Sequence, residues 1–235
     1  MIEPAPEKNF SQLESAYQNL DFGYRQQGAV LAGAFQLTTS PGGIGVQTFP
    51  GGDPRIGLRL VSSDDKYVVL VRLNGMAVSR LTPYEDFETL SLEMRRLWNI
   101  YINRWSPGKI KRVACRFVNN LRLPMVPGQS FSEFVTTFIE LPPDLPQNLS
   151  NFVQQFTLQG ADATEAVRVS LAWDGMWNTK DSTHVVPMIF DIDAFRLVDI
   201  DIHDEASWEM LLKLRELKNR CFFGALTDTC VKNYE

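Results

Sequence analysis

The chain contains little cysteine and histidine, two residue types from which catalytic and metal sites are often built. Its 235 residues include three cysteines and two histidines. Cys115, Cys221 and Cys230 are widely spaced, with no C-x-x-C pair. An odd cysteine count without such a pair encodes neither a disulfide framework nor a zinc site. The sequence therefore predicts reduced thiols, a cytoplasmic protein, and no cofactor or bound metal.

The chain also lacks a long apolar run and a secretory signal. Its longest apolar runs, at 67–71 and 185–190, fall far short of the roughly 18 residues that a membrane-spanning helix requires. The N-terminus has no basic start followed by an apolar stretch, which a signal peptide would show. A hydrophobic content of 44% with 22% charged residues is typical of a globular protein. We expect no contact with a membrane.

Excess positive charge and recognisable catalytic motifs are missing too. The formal net charge of −5 argues against nucleic acid as a partner, because phosphate-backbone binding depends on Lys and Arg releasing counterions. No G-x-S-x-G motif accompanies His184 or His203. The Pro-Gly-Gly-Ile-Gly run at 41–45 is not followed by the Gly-Lys-Ser/Thr of a phosphate loop. We interpret that run as a turn.

The chain does contain many strand-like segments and two long amphipathic helical segments. Asn74-Gly75 favours a tight hairpin turn, and apolar residues recur every three or four positions at 87–101 and 208–221, which predicts helices. Short connections between strands favour antiparallel pairing, so the predicted fold class is α+β. A helix is predicted at 10–25, and strands at 30–39, 44–49, 55–61, 66–73, 76–81, 110–123, 153–159, 167–173, 185–191 and 196–202.

A constant offset of 120 residues relates two parts of the sequence. The matching residues are Val78, Glu85, Leu92, Arg95, Leu97 and Asn99 in the first part and Val198, Glu205, Leu212, Arg215, Leu217 and Asn219 in the second. Such self-similarity predicts two pseudo-repeated halves, 1–125 and 126–235, each an antiparallel sheet with one long amphipathic helix across it, packed as one compact body. The alternative is that two amphipathic helices share Leu and Arg without being repeats.

An acidic set of residues lies in the last strand-like region. If the chain turns near Phe195, alternate residues of the resulting hairpin share one face. The set consists of Asp191, Asp193, Asp199, Asp201 and His203. Converging carboxylates and an imidazole would suit Mg²⁺ or Mn²⁺. The other interpretations are a solvated acidic face, which strict alternation along a half-solvated strand also produces, and a surface that docks a basic partner. The functional prediction below uses the set as a partner-binding surface.

A basic set surrounds the strand at 110–123. Its members are Arg104, Lys109, Lys111, Arg112, Arg116 and Arg122, close in sequence to Trp98, Tyr101 and Trp105. Charge combined with aromatic stacking could bind a phosphate or single-stranded nucleic acid, so Arg112, Arg116 and Arg122 form a candidate anion site. The alternative is ordinary packing with a charged rim.

A third candidate is a small-ligand cavity under a curved sheet. Trp173 and Trp177, with Asp174 and Asn178, could line it. Tryptophan on a strand is more often part of the core.

The strand Arg116-Phe117-Val118-Asn119-Asn120-Leu121 resembles a motif, Arg-Tyr-Ile-Asn-Arg-Ile, of a sporadically distributed, uncharacterised bacterial protein family. Arg116 and Asn119 match the motif, whereas Asn120 replaces its second Arg. The chain's end also resembles the family's close, in Asn219, Phe222, Phe223, Gly224, Ala225, Leu226, Thr227 and Asp228. The resemblance implies no catalytic residue, cofactor or substrate. It leaves Arg116 and Asn119 open to a structural role, Arg116 pairing with a carboxylate and Asn119 closing a strand end.

These observations together predict a non-enzymatic partner-binding or regulatory subunit, such as an accessory protein of a bacterial multi-protein system. A full globular core without a catalytic signature, together with the acidic set, leads to this expectation. The alternatives are a metal-dependent hydrolase or nuclease that uses the acidic set, and a small-ligand-binding protein. The oligomeric state stays undetermined at this point.

Overall fold

The structure, a computed structural model, describes residues 1–2, 8–18, 22–31, 38–40, 43–45, 55–126, 128–139, 141–146, 149–175 and 185–234, with the side chains at 38–40 and 43–45 not described. The chain divides into two compact units. The first comprises Met1–Lys111 and Ile200–Ile202, and the second comprises Arg112–Asp199 and His203–Glu235. The fold class is α+β, as predicted, with two separate four-stranded antiparallel sheets.

The first unit contains a sheet with strand order β1-β4-β5-β6 and a small β2-β3 pair. Its elements are α1 (Phe10–Tyr17), β1 (Tyr24–Leu31), β2 (Thr38–Ser40), β3 (Gly43–Gly45), β4 (Arg55–Ser62), β5 (Tyr67–Arg72), β6 (Gly75–Arg80) and α2 (Phe87–Trp105). The predicted Asn74-Gly75 turn joins β5 to β6, where Gly75 adopts a φ of 155°. β1 and α1 differ from the predicted bounds, since β1 begins at Tyr24 and α1 stops at Tyr17.

Local sequence explains where α2 begins and ends. The Asp86 carboxylate caps its N-terminus by accepting a hydrogen bond from the Thr89 N–H at 2.6 Å. Ser106 ends it in the left-handed conformation, with a φ of 43°. The Tyr101 hydroxyl and the Trp105 indole donate to the backbone carbonyls of Arg72 and Leu73. These contacts fix α2 to the end of β5.

The second unit contains a sheet with strand order β7-β10-β9-β8. Its elements are β7 (Ile110–Pro124, whose first two residues belong to the first unit), a 3₁₀ helix (Phe131–Glu133), β8 (Phe152–Gln159), β9 (Glu165–Trp173), β10 (Val185–Ile200, whose last residue belongs to the first unit), α3 (Ala206–Ala225) and α4 (Asp228–Lys232). α3 contacts one face of this sheet, where Phe222 stacks on Phe190 with ring centroids 5.5 Å apart. The described helices include none long and apolar enough to cross a membrane.

The predicted hairpin near Phe195 is wrong, because β10 is one continuous strand from Val185 to Ile200. Phe195 and Arg196 remain paired with Ala166 and Glu165 of β9. Residues 194–198 include none of the Gly, Pro, Asn, Asp and Ser residues that favour a tight turn. Asp191, Asp193 and Asp199 therefore lie along one strand instead of facing each other across two, and Asp201 and His203 follow its end.

The division between the units also lies elsewhere than predicted. It falls between Lys111 and Arg112, inside β7, instead of between 125 and 126. The Pro-rich segment after β7 suggested the later boundary. β7 instead belongs mostly to the second sheet, because β10 pairs with it.

Three predicted features fall outside the described residues. They are the 50–52 turn, the candidate ligand residues Trp177 and Asn178, and His184.

Candidate functional site

The second sheet has one face that α3 contacts, through Phe222 on Phe190 and Lys218 on Phe117, and an opposite face, here called the open face. On β10, Met188, Phe190, Ile192 and Ala194 are fully buried on the α3 side. The intervening residues of the strand are half-buried or exposed. Because side chains alternate across a strand, the intervening residues make up the open face.

Two cross-strand ion pairs lie at the centre of the open face. The Arg116 Nε–H and Nη2–H groups donate to the two carboxylate oxygens of Asp191, at 2.9 and 2.6 Å. Arg112 Nη2 donates to Asp193 Oδ2 at 2.8 Å. The Arg112 guanidinium also lies 4.4 Å from the centre of the Phe195 ring. Bidentate arginine–carboxylate contacts fix both partners in position.

The acidic and basic sets predicted from the sequence therefore partly neutralise each other. Asp191 and Asp193 come from the first set, and Arg112 and Arg116 from the second, yet they form one ladder on adjacent strands. Arg116 pairs with a carboxylate, as its structural interpretation expects. Asn119 does not close a strand end. It lies inside β7, where its side-chain amide donates to the Phe190 carbonyl at 3.1 Å.

The remaining predicted site residues do not join this ladder. Arg122 is exposed near the end of β7, and its backbone N–H donates to the Tyr234 hydroxyl at 2.8 Å. Asp199, Asp201 and His203 are exposed beyond the centre of β10. Asp199 and His203 belong to the second unit and Asp201 to the first. The acidic set is therefore divided between the two units.

A row of apolar side chains crosses the open face next to the ladder. Val153 pairs with Ala172, and Ala172 pairs with Ile189. Val118 lies two residues beyond Arg116, just as Ile189 lies two residues before Asp191, so the antiparallel strands bring Val118 beside Ile189. Val118, Val153 and Ile189 are 60%, 52% and 39% exposed. This apolar row spans the width of the sheet.

Arg168 is the residue of the open face that the sequence patterns missed. It lies on β9 directly opposite Asp193 and is exposed. A lone arginine in an apolar strand gives no signal of its own. The register that places it beside an ion pair is not visible in the sequence.

Unequal exposure decides which charges of the open face meet the solvent. The Arg116 side chain is 60% exposed, against 19% for Asp191, and the Arg112 and Asp193 side chains are 20% and 16% exposed. The hydrogen bonds to Asp191 raise the pKa of the Arg116 guanidinium above its usual value. Counting Arg168, the central part of the face carries three positive and two negative charges.

The buried face holds an unusual cation. Lys218 of α3 is 7% exposed, and its ammonium lies 3.6 Å from the centre of the Phe117 ring. Burial lowers the pKa of Lys218 below its usual range, and burial raises the pKa of the nearby Cys115 thiol to about 11. An ammonium over an aromatic ring is a favourable contact that partly compensates for burial.

Of the residues predicted for a ligand cavity, Trp173 belongs to the core, whereas Asp174 is exposed. Trp173 is buried and packs against Phe131 and Phe152, with ring centroids 5.3 and 6.5 Å apart. Nearby, Gln154 Nε2 donates to the Thr137 carbonyl at 2.6 Å. The Gln154 Oε1 and Thr137 Oγ1 atoms are buried with no hydrogen-bond partner among the described residues. A single ordered water is enough to satisfy such a pair.

Within the described part of the chain, no group of three or more His, Cys, Asp or Glu side chains is arranged to hold a metal ion. Asp191 and Asp193 direct their carboxylates to arginines instead. The three cysteines are free, with Cys115 and Cys230 buried. On the open face, the available interactions are arginine–carboxylate hydrogen bonds and apolar contacts.

No protein-family model, curated protein or solved structure matches this chain. The function is therefore inferred from the chemistry of the open face.

Proposed function

We propose that this protein is a non-enzymatic partner-binding or regulatory subunit, and that a protein partner docks on the open face of the second sheet. The observation that carries the proposal is the apolar row of Val118, Ile189 and Val153 beside the ion-pair ladder. Protein interfaces combine an apolar core with aligned arginines and a polar rim. We place the protein in the cytoplasm, as an accessory component of a bacterial multi-protein system.

Exposed apolar side chains scattered one by one require no explanation. Here three of them align across a sheet whose other face is buried along β10. Burial of apolar surface by a partner would contribute roughly 25 cal/mol for each Å² removed from water. The adjoining ion pairs would fix the orientation of the partner, because their side chains are already held in place.

The basic partner surface predicted from the acidic set is less well supported than docking itself. Asp191 and Asp193 already share their charge with Arg116 and Arg112. A basic partner would first meet the exposed guanidinium of Arg116. The metal-dependent hydrolase and the ligand-binding protein remain predictions of the sequence alone.

Affinity capture with matched variants tests the proposal. The tagged protein, expressed in its own cells, is compared with Val118→Lys/Val153→Lys and with the control Leu212→Lys. Leu212 is 50% exposed on α3, so the control places a lysine at a similarly exposed apolar site away from the open face. A stoichiometric partner should be retained by the wild type and the control and lost from the double variant. Retention by the double variant would refute docking at the open face.

Two further proposals concern the evolutionary origin of the protein. We propose that its halves are pseudo-repeats, which is supported by α2 ending at residue 105 and α3 at residue 225, the same separation of 120 residues as in the sequence match. We also propose membership of the uncharacterised bacterial family that the Arg116 strand resembles. The side chains of Arg116 and Asn119 both link β7 to β10. This supports a motif whose residues stabilise the sheet.

A further inference from the structure

We propose that the partner segment is acidic: a helical segment that carries apolar side chains and two carboxylates, which bind Arg116 and Arg168 of the open face. This inference rests on the docking proposal above and names the chemistry of the partner. The acidic set, considered without its ion pairs, suggests a basic partner. The partner proposed here has the opposite charge.

The most exposed charges at the centre of the open face belong to arginines. The carboxylates of Asp191 and Asp193 lie mostly below the surface, whereas Arg116 and Arg168 project from it. An approaching partner therefore meets guanidinium groups before it meets carboxylates. Complementary charge speeds association and excludes partners of the same sign.

Arg116 and Arg168 have N–H donors that no described residue uses. Arginine has five N–H donors, and Arg116 directs one from Nε and one from Nη2 to Asp191. Within the described residues, its other donors have no acceptor, and Arg168 forms no hydrogen bond or ion pair. Asp191 holds the Arg116 guanidinium in a fixed plane, so little conformational entropy is lost when an incoming carboxylate binds.

The distance between Arg116 and Arg168 matches the distance between two carboxylates on one face of a helix. Arg116 lies beside Asp191 on β7, and Arg168 lies opposite Asp193 on β9, two strands away. With strands about 4.8 Å apart and about 6.8 Å for two residues along a strand, the two Cα atoms are roughly 12 Å apart. Carboxylates seven or eight residues apart on a helix are separated by about 10–12 Å. Apolar residues on the same helix face would then meet the row of Val118, Ile189 and Val153.

A second copy of the chain fits this face less well. Placing two open faces together would bring the exposed guanidinium groups of Arg116 and Arg168 in one copy towards those in the other. Like charges facing each other across an interface are unfavourable. An acidic segment of a different protein fits better.

Fluorescence anisotropy with designed peptides tests the inference on the full chain. The first probe is a labelled amphipathic helical peptide of about 18 residues with two glutamates seven positions apart beside its apolar stripe. The second probe is identical except that lysines replace the glutamates. The proteins are the wild type, Arg116→Glu/Arg168→Glu, Arg116→Gln/Arg168→Gln, and the control Lys213→Glu/Arg220→Glu. The control makes the same change in net charge at exposed positions of α3.

The wild type and the control should bind the glutamate peptide at least about tenfold more tightly than the lysine peptide. The Glu variant should lose about tenfold or more in affinity for the glutamate peptide, and binding should weaken as salt rises from roughly 0.05 to 0.5 M. The Gln variant removes the charge without reversing it, and should weaken binding even if the Glu variant fails to fold.

Binding of neither peptide, or equal affinity of the wild type and the Gln variant for the glutamate peptide, would overturn the acidic partner. Preference for the lysine peptide, abolished by Val118→Lys/Val153→Lys, would also overturn it while leaving docking at the open face intact. Failure of docking itself is detected separately, by a partner that stays bound to that double variant in the capture experiment.

Discussion

The two faces of the second sheet differ sharply although they are built from the same strands. On β10, Phe190 and Ile192 are fully buried beneath α3, whereas Ile189 and Asp191, their neighbours in sequence, lie on the open face. Alternation along one strand therefore separates two tasks. The α3 side holds the unit together, and the open face, with its exposed apolar row and fixed arginines, is suited to recognition.

The largest effect should come from truncating the buried face. Phe190→Ala removes a fully buried ring that stacks on Phe222, and should lower the free energy of unfolding by about 3–5 kcal/mol. The matched open-face change, Ile189→Ala, should lower it by about 1 kcal/mol or less. Urea unfolding measures both. Similar losses for the two variants would contradict the distinction between the faces.

The next effect separates the two ion pairs. Arg112→Ala leaves the mostly buried Asp193 carboxylate without this partner and removes the contact with Phe195, and should lower the free energy of unfolding by about 2–3 kcal/mol. Arg116→Ala should lower it by about 1 kcal/mol or less, because the Arg116 guanidinium is largely in water. Chemical denaturation compares the two variants. An equal or larger loss for Arg116→Ala would show that the exposure of the side chains does not determine how much each ion pair contributes to stability.

A smaller effect, of opposite sign, is expected at Lys218. Lys218→Met keeps the apolar chain and removes a buried charge, so it should raise the free energy of unfolding at pH 7 by about 0.5–1 kcal/mol. Because the pKa of Lys218 is lower in the folded protein, the unfolded chain binds more protons between the two pKa values. The stability of the wild type relative to the variant should therefore rise with pH in that window.

Thermal or urea unfolding of wild type and Lys218→Met between pH 7 and pH 10 measures this change. The advantage of the variant should shrink as the pH approaches the ordinary lysine value. The control Lys213→Met, at an exposed position of the same helix, should show no such trend. A constant difference across this pH range would mean that Lys218 keeps an ordinary pKa.

The smallest effect is expected in the apolar row. Val153→Thr replaces an exposed side chain with one of the same shape and should change the free energy of unfolding by no more than about 0.5 kcal/mol. The same change at Val169, which is buried on β9, should cost clearly more, because its hydroxyl would be buried. A large loss at Val153 would indicate that the open face contributes to folding.

Local signals in the sequence predict much of the fold. The strands around the Asn74-Gly75 turn, the helix after Asp86, and β7 and β8 lie within a few residues of their predicted bounds. Each depends on neighbouring residues, such as a turn dipeptide, a capping carboxylate or a run of alternating side chains. Such signals are readable from a few positions at a time.

The features that the sequence does not predict depend on residues far apart in the chain. β10 continues through Phe195 because β9 pairs with it there, and that pairing leaves no local mark. Arg112 and Asp193 are 81 positions apart, so the acidic and basic sets look like two sites until the register joins them. The sign of the charge that the open face presents follows from that register.

Photo-crosslinking from inside the face tests its role in docking most directly. The photoreactive residue p-benzoylphenylalanine is placed at Val118 in the apolar row or, as the control, at Leu212 on α3, in the full chain expressed in its own cells. Irradiation should crosslink one partner to the Val118 position and not to Leu212, and the crosslinked partner peptide should be rich in Asp and Glu. A partner crosslinked from Leu212 and not from Val118 would contradict docking on the open face.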